Sequence, residues 1–211
     1  EMKRAGVDMA AVEERRRADP TIAGSIRSCL RAPIGRAANR LFGGGVRHGT
    51  GNECEDRFIR FYQKGGDGEV DTNPIGMLTK TEVYQVAFAL GRQLGEEARA
   101  VLTDTIDAAP SPDLWGTGDG HTDEAELLTW LGVPFTYGRI NPATGVVTSI
   151  GTIERVNRFV DLVQSRGPSE HLFWDATEEA WEQRYAQASD SPPFKGLASD
   201  LVVRLLKAAR R

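Results

Sequence analysis

Long apolar stretches, cysteines and histidines are all scarce in this chain of 211 residues. No apolar run approaches the roughly 20 residues that a membrane-spanning helix needs, so we expect no transmembrane segment. Cys29 and Cys54 have no Cys-x-x-Cys spacing and predict neither a zinc site nor a disulfide framework. Two alternatives remain for this pair, a single disulfide bridge or two buried thiols. The three histidines, His48, His121 and His171, leave few candidates for histidine-based catalysis.

Motifs that bind or transfer phosphate are also lacking. The run Gly43–Gly45 is without the lysine and the helix start of a phosphate-binding loop. The stretch Val46–Thr50 resembles the opening motif of histidine phosphatases, which would make His48 a phosphoryl acceptor beside Arg47. The residues before it form a poor strand, and the alternation of strands and helices that a parallel sheet needs is missing. We therefore expect no catalysis by the chain itself.

Acidic residues are absent from Pro20 to Asn52, although the whole chain has a net charge of −4. The segment contains five arginines, which are Arg27, Arg31, Arg36, Arg40 and Arg47. Contact with an anionic membrane surface is one interpretation. Nucleic acid is not expected, because no aromatic residue is interleaved with the arginines before Phe42. Packing against a protein partner, or against the acidic remainder of the chain, is favoured.

The spacing of apolar residues predicts a mainly α-helical protein. A chain with 40% hydrophobic and 27% charged residues suits one globular domain with an arm, for which a cytoplasmic location is favoured. Apolar residues recur at helical spacing from Ile22 to Leu41, and Pro33 is expected to kink or split that helix. The stretch Asn141–Gly145, within residues 135–150, predicts a short hairpin or an extended turn. The other predicted helices cover residues 2–18, 53–63, 80–93, 96–108, 152–166, 176–188 and 197–210.

Residues 71–82 place oxygen-bearing side chains at the first, third, ninth and twelfth positions around a central glycine. Ca²⁺ binds about six to eight oxygens on a sharply turned loop of this kind. The stretch resembles an EF-hand loop, although Ile75 stands where that family has an oxygen ligand. The resemblance implies one backbone carbonyl and four side-chain ligands, which are Met77, Asp71, Asn73, Thr79 and Glu82. An alternative is a plain helix start, because Thr79 and Glu82 have the spacing of a capping box.

A second stretch, residues 115–126, repeats the EF-hand pattern less well. Trp115 stands at the first position, where the family has Asp, and Gly120 stands at the turn. A register that begins at Asp113 recovers the missing ligand and puts Gly118 at the turn and Glu124 last. It loses the fifth-position carboxylate, so both registers remain open. In the first register the resemblance implies a ligand set of Thr117, Asp119, Asp123 and Glu126.

Together the two loops imply a degenerate EF-hand pair that binds Ca²⁺. We expect a basic helical arm at residues 1–50, the EF-hand-like pair at 51–135 and a helical extension at 136–211 packed on the same domain. The implied function is that of a calcium-binding regulatory or scaffolding protein. It would act by binding a protein partner or its own basic helix. Two alternatives are a non-catalytic helical interaction module with vestigial loops, and a non-catalytic portion of a larger enzyme.

Overall fold

The computed structural model describes residues 3–111 and 122–210, which are mainly helical, as expected. A π-helix, Cys54–Ile59, and two short strands, β1 (Arg139–Ile140) and β2 (Val147–Ser149), accompany the α-helices. Within this range no helix has the length and apolarity needed to cross a bilayer. The α-helices are α1 (Met9–Ala18), α2 (Pro20–Leu41), α3 (Lys80–Leu94), α4 (Glu96–Asp107), α5 (Asp123–Leu131), α6 (Thr152–Arg166), α7 (Glu170–Trp174), α8 (Glu178–Ala188) and α9 (Ser199–Arg210).

The chain divides into two compact units. Of the described residues, the first unit holds those up to Gly51 together with Tyr62–Pro74. The second unit holds Asn52–Phe61, Ile75–Ser111 and the residues from Thr122 onward. The predicted EF-hand pair is not supported, because the first of its loops is divided between the two units.

Two helices dominate the first unit. The Asp8 carboxylate caps α1, since it accepts hydrogen bonds from the N–H groups of Ala10 and Ala11. A new helix begins after Asp19, as the sequence predicted. Of the two outcomes predicted at Pro33, the split is wrong, because α2 continues through this residue although proline removes one helical hydrogen bond. The kink stays a prediction.

Residues 62–74 form a loop that contacts α2 on both sides of the proline. Before it, Ser28 Oγ donates to Asp67 Oδ1 at 2.5 Å. After it, Arg36 Nε donates to Glu69 Oε1 at 2.9 Å. These contacts join residues on both sides of Pro33 to one segment. One arginine of the acid-free segment thus pairs with an acid of the same chain, while the wider partner predictions for that segment stay predictions.

The core of the second unit lies among α6, α8, α9 and the π-helix. Trp181 of α8 is fully buried, and its indole N–H donates to the carbonyl of Phe173 at 2.9 Å. Tyr185 donates its hydroxyl to the carbonyl of Leu197 at 2.7 Å. Each polar tip thus has a partner, as burial requires. Six residues on one face of α9 complete this core, which are Val202, Val203, Leu205, Leu206, Ala208 and Ala209.

A smaller apolar cluster of Tyr84, Ile106 and Ile140 joins α3, α4 and β1. The break between α3 and α4 at Gly95 is confirmed, and the φ of 104° there lies in the region that favours glycine. The predicted hairpin is also confirmed, with β1 antiparallel to β2. In the turn, Asn141 Oδ1 accepts hydrogen bonds from the N–H groups of Ala143 and Thr144, an Asx-type arrangement that favours a chain reversal.

Candidate active site

Seven polar or charged residues of the described chain are buried, and all of them belong to the second unit. Six of them lie at or near the starts of the π-helix, α3, α5 and α6, and Asn157 lies in the second turn of α6. Buried ionisable groups are costly unless they are paired, and their concentration in one place is typical of functional sites. The seven are Asn52, Glu53, Thr79, Thr81, Asp123, Glu154 and Asn157.

An ion pair between Glu55 and Lys80 lies among these residues. Lys80 Nζ is 2.9 Å from Glu55 Oε1, and both side chains are more than four-fifths buried. Tyr137 donates its hydroxyl to the same oxygen at 3.3 Å, and the Lys80 ammonium lies 5.2 Å from the centre of the Tyr137 ring. Burial disfavours the charge on Lys80, but the attraction and hydrogen bond of Glu55 outweigh it and raise the pKa of Lys80. Lys80 is therefore a fixed cation at neutral pH.

The π-helix orients Glu55. The Asn52 side-chain oxygen accepts from the N–H groups of Cys54 and Glu55, at 3.0 and 3.2 Å, and so caps the helix. The Asn52 N–H in turn donates to Glu55 Oε2 at 3.2 Å. Cys54 and Phe58 are buried in the core, and Arg60 ends the helix with a φ of 56°. Short π-helical segments occur frequently at functional sites.

Asp123 adds a buried carboxylate at the first position of α5. Only 7% of the residue is exposed. Burial raises the pKa of Asp123 to about 6, because desolvation and the negative charge of Glu55 outweigh the attraction of Lys80. A carboxyl group with this pKa can take up or release a proton near neutral pH.

Arg139 supplies a second positive charge. Its Nη2 lies 3.5 Å from Glu124 Oε1, which also accepts the Tyr137 N–H at 2.8 Å. Its Nη1 is buried and has no hydrogen-bond partner in the part of the chain that the structure describes. Burial raises the pKa of Tyr84, whereas Lys80 and Arg139 both act to lower it, so both cations are near Tyr84. The unpartnered Nη1 of Arg139, together with the nearby ammonium of Lys80, suits an anionic ligand.

The residues of the first predicted calcium loop make other contacts. Glu82 Oε2 accepts from the N–H of Thr79 at 2.8 Å and from its hydroxyl at 2.9 Å, so the capping-box alternative is confirmed. Met77 is 72% exposed. In the first unit, Asp71 accepts from a backbone N–H at 2.8 Å, and Asn73 donates to a backbone carbonyl at 2.8 Å.

The second predicted loop is described only in part. Thr117 and Asp119 lie outside the described residues. Asp123 and Glu126 belong to the first turn of α5, which the Thr122 hydroxyl caps. Across residues 3–111 and 122–210, no group of three or more His, Cys, Asp or Glu side chains could hold a metal ion. The geometry therefore gives the calcium prediction no support.

A sequence model of the NAD synthase family matches residues 9–140, which is more than half of the chain. The chain belongs to the NAD synthase family. This finding corrects the EF-hand assignment, and with it the predicted calcium ion and the non-catalytic regulatory function. The EF-hand resemblance rested on two imperfect loop patterns, each lacking a ligand, whereas the family match extends continuously over most of the chain.

Two relatives are NH(3)-dependent NAD(+) synthetases. That of Carboxydothermus hydrogenoformans is 41% identical over 118 residues, which cover 56% of this chain and 40% of that protein. That of Methanosarcina mazei is 38% identical over 120 residues, which cover 56% of this chain and 41% of that protein. The chain thus spans about two-fifths of the length of these relatives.

A solved NMN synthetase from Francisella tularensis is a more distant likeness. It is 24% identical with a TM-score of 0.45, over 90% of this chain and 60% of that one. A likeness at that level is too weak to inform fold or function.

Five charged side chains of the site lie inside the family-matched range, and we call them the charged cluster: Glu55, Lys80, Asp123, Glu124 and Arg139. The sequence pattern singled out two of them, both for calcium, which are Asp123 in the first register of the second loop and Glu124 in the alternative register. Glu55 and Lys80 are 25 residues apart, so no local spacing reveals their contact. One usable signal was Lys80 itself, because a lysine at the first position of a capped helix does not complement the helix dipole.

Proposed function

We propose that this protein takes part in the ammonia-dependent synthesis of NAD⁺, the activity for which its relatives are named. The charged cluster lies within the family-matched range and combines two cations with three carboxylates. The observation that carries the proposal is the ion pair of Glu55 and Lys80 at 2.9 Å, because it holds a desolvated cation in a fixed position.

The anionic character of the reactants fits this cluster. Ammonia supplies the nitrogen of an amide, so we take the other reactant to be the carboxylate form of the dinucleotide, which also carries phosphates. In our proposal Lys80 and Arg139 bind these negative groups, since hydrogen bonds between charged partners are roughly twice as strong as neutral ones. Glu55 orients Lys80, and the unpartnered Nη1 of Arg139 is available to the ligand.

Asp123 is the proton acceptor in this proposal. The nitrogen of ammonia forms a bond to the acyl carbon as the bond from that carbon to the oxygen activated by a nucleoside triphosphate breaks, and the activating group leaves with that oxygen. The nitrogen must then lose one proton to become the neutral amide nitrogen. A carboxylate whose pKa is about 6 is mostly ionised at neutral pH and is a stronger base than an ordinary aspartate.

Substitution of Lys80 tests the proposal. The protein is incubated with the carboxylate form of the dinucleotide, an ammonium salt and a nucleoside triphosphate that activates the carboxylate, and NAD⁺ is measured. Lys80→Ala should lower kcat/KM by about 10- to 100-fold, because a hydrogen bond to a charged group in a partly buried site is lost. Lys195→Ala, which truncates an exposed lysine of the same unit, should leave kcat/KM unchanged.

Binding gives a second measurement. Calorimetry should detect NAD⁺ binding to the wild-type protein and weaker binding to Lys80→Ala. The proposal is wrong if the wild-type protein neither forms nor binds NAD⁺, or if Lys80→Ala is as active as Lys195→Ala.

A further inference from the structure

Glu154 is a buried carboxylate that lies outside the family-matched range. It occupies the first turn of α6, and only 1% of it is exposed. Its Oε1 accepts the Thr81 N–H at 2.8 Å, and the Thr81 hydroxyl lies 2.7 Å from Oε2 and 2.8 Å from Oε1. Oε2 also accepts the N–H of Gly151 at 2.9 Å. Within the described residues no lysine or arginine forms an ion pair with it.

Two helix starts compensate for the missing cation. The first N–H groups of a helix have no partner within the helix and carry partial positive charge. Glu154 accepts from such a group in α3, through Thr81, and it also closes the start of α6 at Gly151. One carboxylate thus joins the beginnings of α3 and α6, although Thr81 and Glu154 are 73 residues apart in the chain.

The helix start that Glu154 holds is the one that carries Lys80. Lys80 is the first residue of α3, and Thr81 follows it directly. Because Thr81 is fixed through both its backbone N–H and its hydroxyl, the backbone from which the Lys80 side chain departs is fixed as well. The space is closely filled, since a Cβ on Gly138 would lie 1.9 Å from Thr81 Oγ1 and 2.5 Å from Glu154 Oε2.

The same face of α6 also holds the segment that carries Glu55. Asn157 lies three residues after Glu154, a spacing that places both on one side of a helix. Its Nδ2 donates to Glu53 Oε2 at 2.9 Å, and Glu53 is two residues before Glu55. One face of α6 therefore contacts both backbone segments whose side chains form the ion pair.

We propose that Glu154, supported by Asn157, positions the ion pair of Lys80 and Glu55 for catalysis. Glu154 acts through Thr81 and is a positioning residue, not a group that touches the substrate. The effect of Glu154 on turnover rests on the proposed function. The effect of Glu154 on the position of Lys80 does not depend on the reaction and can be measured without running it.

Glu154→Gln tests the proposal at constant side-chain size. The amide keeps one acceptor oxygen but turns an NH₂ group toward Thr81 or Gly151, so the start of α3 should shift. We expect kcat to fall by about 10- to 100-fold with little change in KM, since small displacements of positioned groups have effects of this size. The matched control is Glu179→Gln, which changes an exposed carboxylate in the first turn of α8.

A double-mutant cycle separates positioning from general loss of structure. If Glu154 acts through Lys80, Glu154→Gln should have almost no further effect on kcat in a Lys80→Ala background. A merely structural role would lower the activity of both backgrounds by the same factor. Thr81→Val, which removes only the hydroxyl donor, should change kcat in the same direction and provides the test if Glu154→Gln does not fold.

Chemical labelling of lysines measures the position of Lys80 without the reaction. Acetylation followed by peptide mass spectrometry should modify Lys80 several-fold faster in Glu154→Gln than in the wild-type protein, with Lys195 unchanged. Unchanged labelling and unchanged kcat in an active enzyme would overturn the positioning role. Faster labelling in a protein that forms and binds no NAD⁺ would instead overturn the proposed function and leave the positioning role standing.

Discussion

Asp123 couples the stability of the second unit to pH. Burial raises its pKa from 3.8 to about 6. Between these two values the folded protein binds more protons than the unfolded chain does. The contribution of Asp123 to the free energy of unfolding is therefore fully present below the lower value and is lost as the pH rises through the higher one.

Asp123→Asn should remove this pH dependence. A shift of about 2 pKa units corresponds to about 3 kcal/mol, so the wild-type protein should lose that much stability, relative to the variant, between about pH 4 and about pH 7. Urea unfolding across this range measures the difference. Asp190→Asn, at an exposed position, should follow the wild-type curve. A constant difference between wild type and Asp123→Asn at every pH would contradict the prediction.

At the scale of elements, the start of α3 shows how one pattern supports two interpretations. Thr79 and Glu82 have the oxygen atoms and the spacing expected at the end of an EF-hand loop. In the fold, the Thr79 side chain accepts the Glu82 N–H and the Glu82 carboxylate accepts the Thr79 N–H, so both groups satisfy each other. The cap needs only four residues, whereas a calcium loop needs its distant ligands to converge.

Thr79→Ala should destabilise the protein by about 1 kcal/mol, because one N–H group at the start of α3 loses its acceptor. Denaturant unfolding measures the change. Thr129→Ala is the matched control, since Thr129 is an exposed residue inside α5 whose hydroxyl donates to the carbonyl one turn before. Alanine favours the helix interior, so the control should be neutral or slightly stabilising. Equal losses in both variants would exclude a capping role.

At the scale of the whole molecule, the core of the second unit and the charged cluster share one helix. Phe159 of α6 is fully buried and meets Tyr185 and Phe194 edge to face, with ring centres 5.3 and 6.0 Å apart. The same helix presents Glu154 and Asn157 to the segments that carry Lys80 and Glu55. Packing around α6 therefore supports the geometry of the site as well as the stability of the fold.

Phe159→Ala should lower the free energy of unfolding by about 3–5 kcal/mol, because it removes apolar contacts and leaves a cavity. Leu172→Ala, at a position that is 55% exposed, should change it by less than about 0.5 kcal/mol. Guanidinium unfolding of the two variants and the wild-type protein provides the comparison. A loss below about 1 kcal/mol for Phe159→Ala would show that α6 is not an essential part of the core.

Signals that act within a few residues predicted several elements correctly. The junction after Asp19, the break at Gly95 and the hairpin around Asn141 each depend on the backbone preferences of proline, glycine or asparagine. The helix predicted at residues 53–63 covers only Cys54–Ile59 and is π-helical. Asn52 accepts an N–H group at its start, and the left-handed Arg60 ends it. The spacing of apolar residues does not distinguish the longer predicted helix from this short π-helix.

The sequence by itself determined where most helices begin and end, because caps, prolines and glycines act on their immediate neighbours. Only the tertiary structure decided which charges meet. Glu55 and Lys80 are 25 residues apart, and Thr81 and Glu154 are 73 apart. Their partnership depends on how the π-helix, α3 and α6 pack, and burial then gives these contacts their strength by removing competing water.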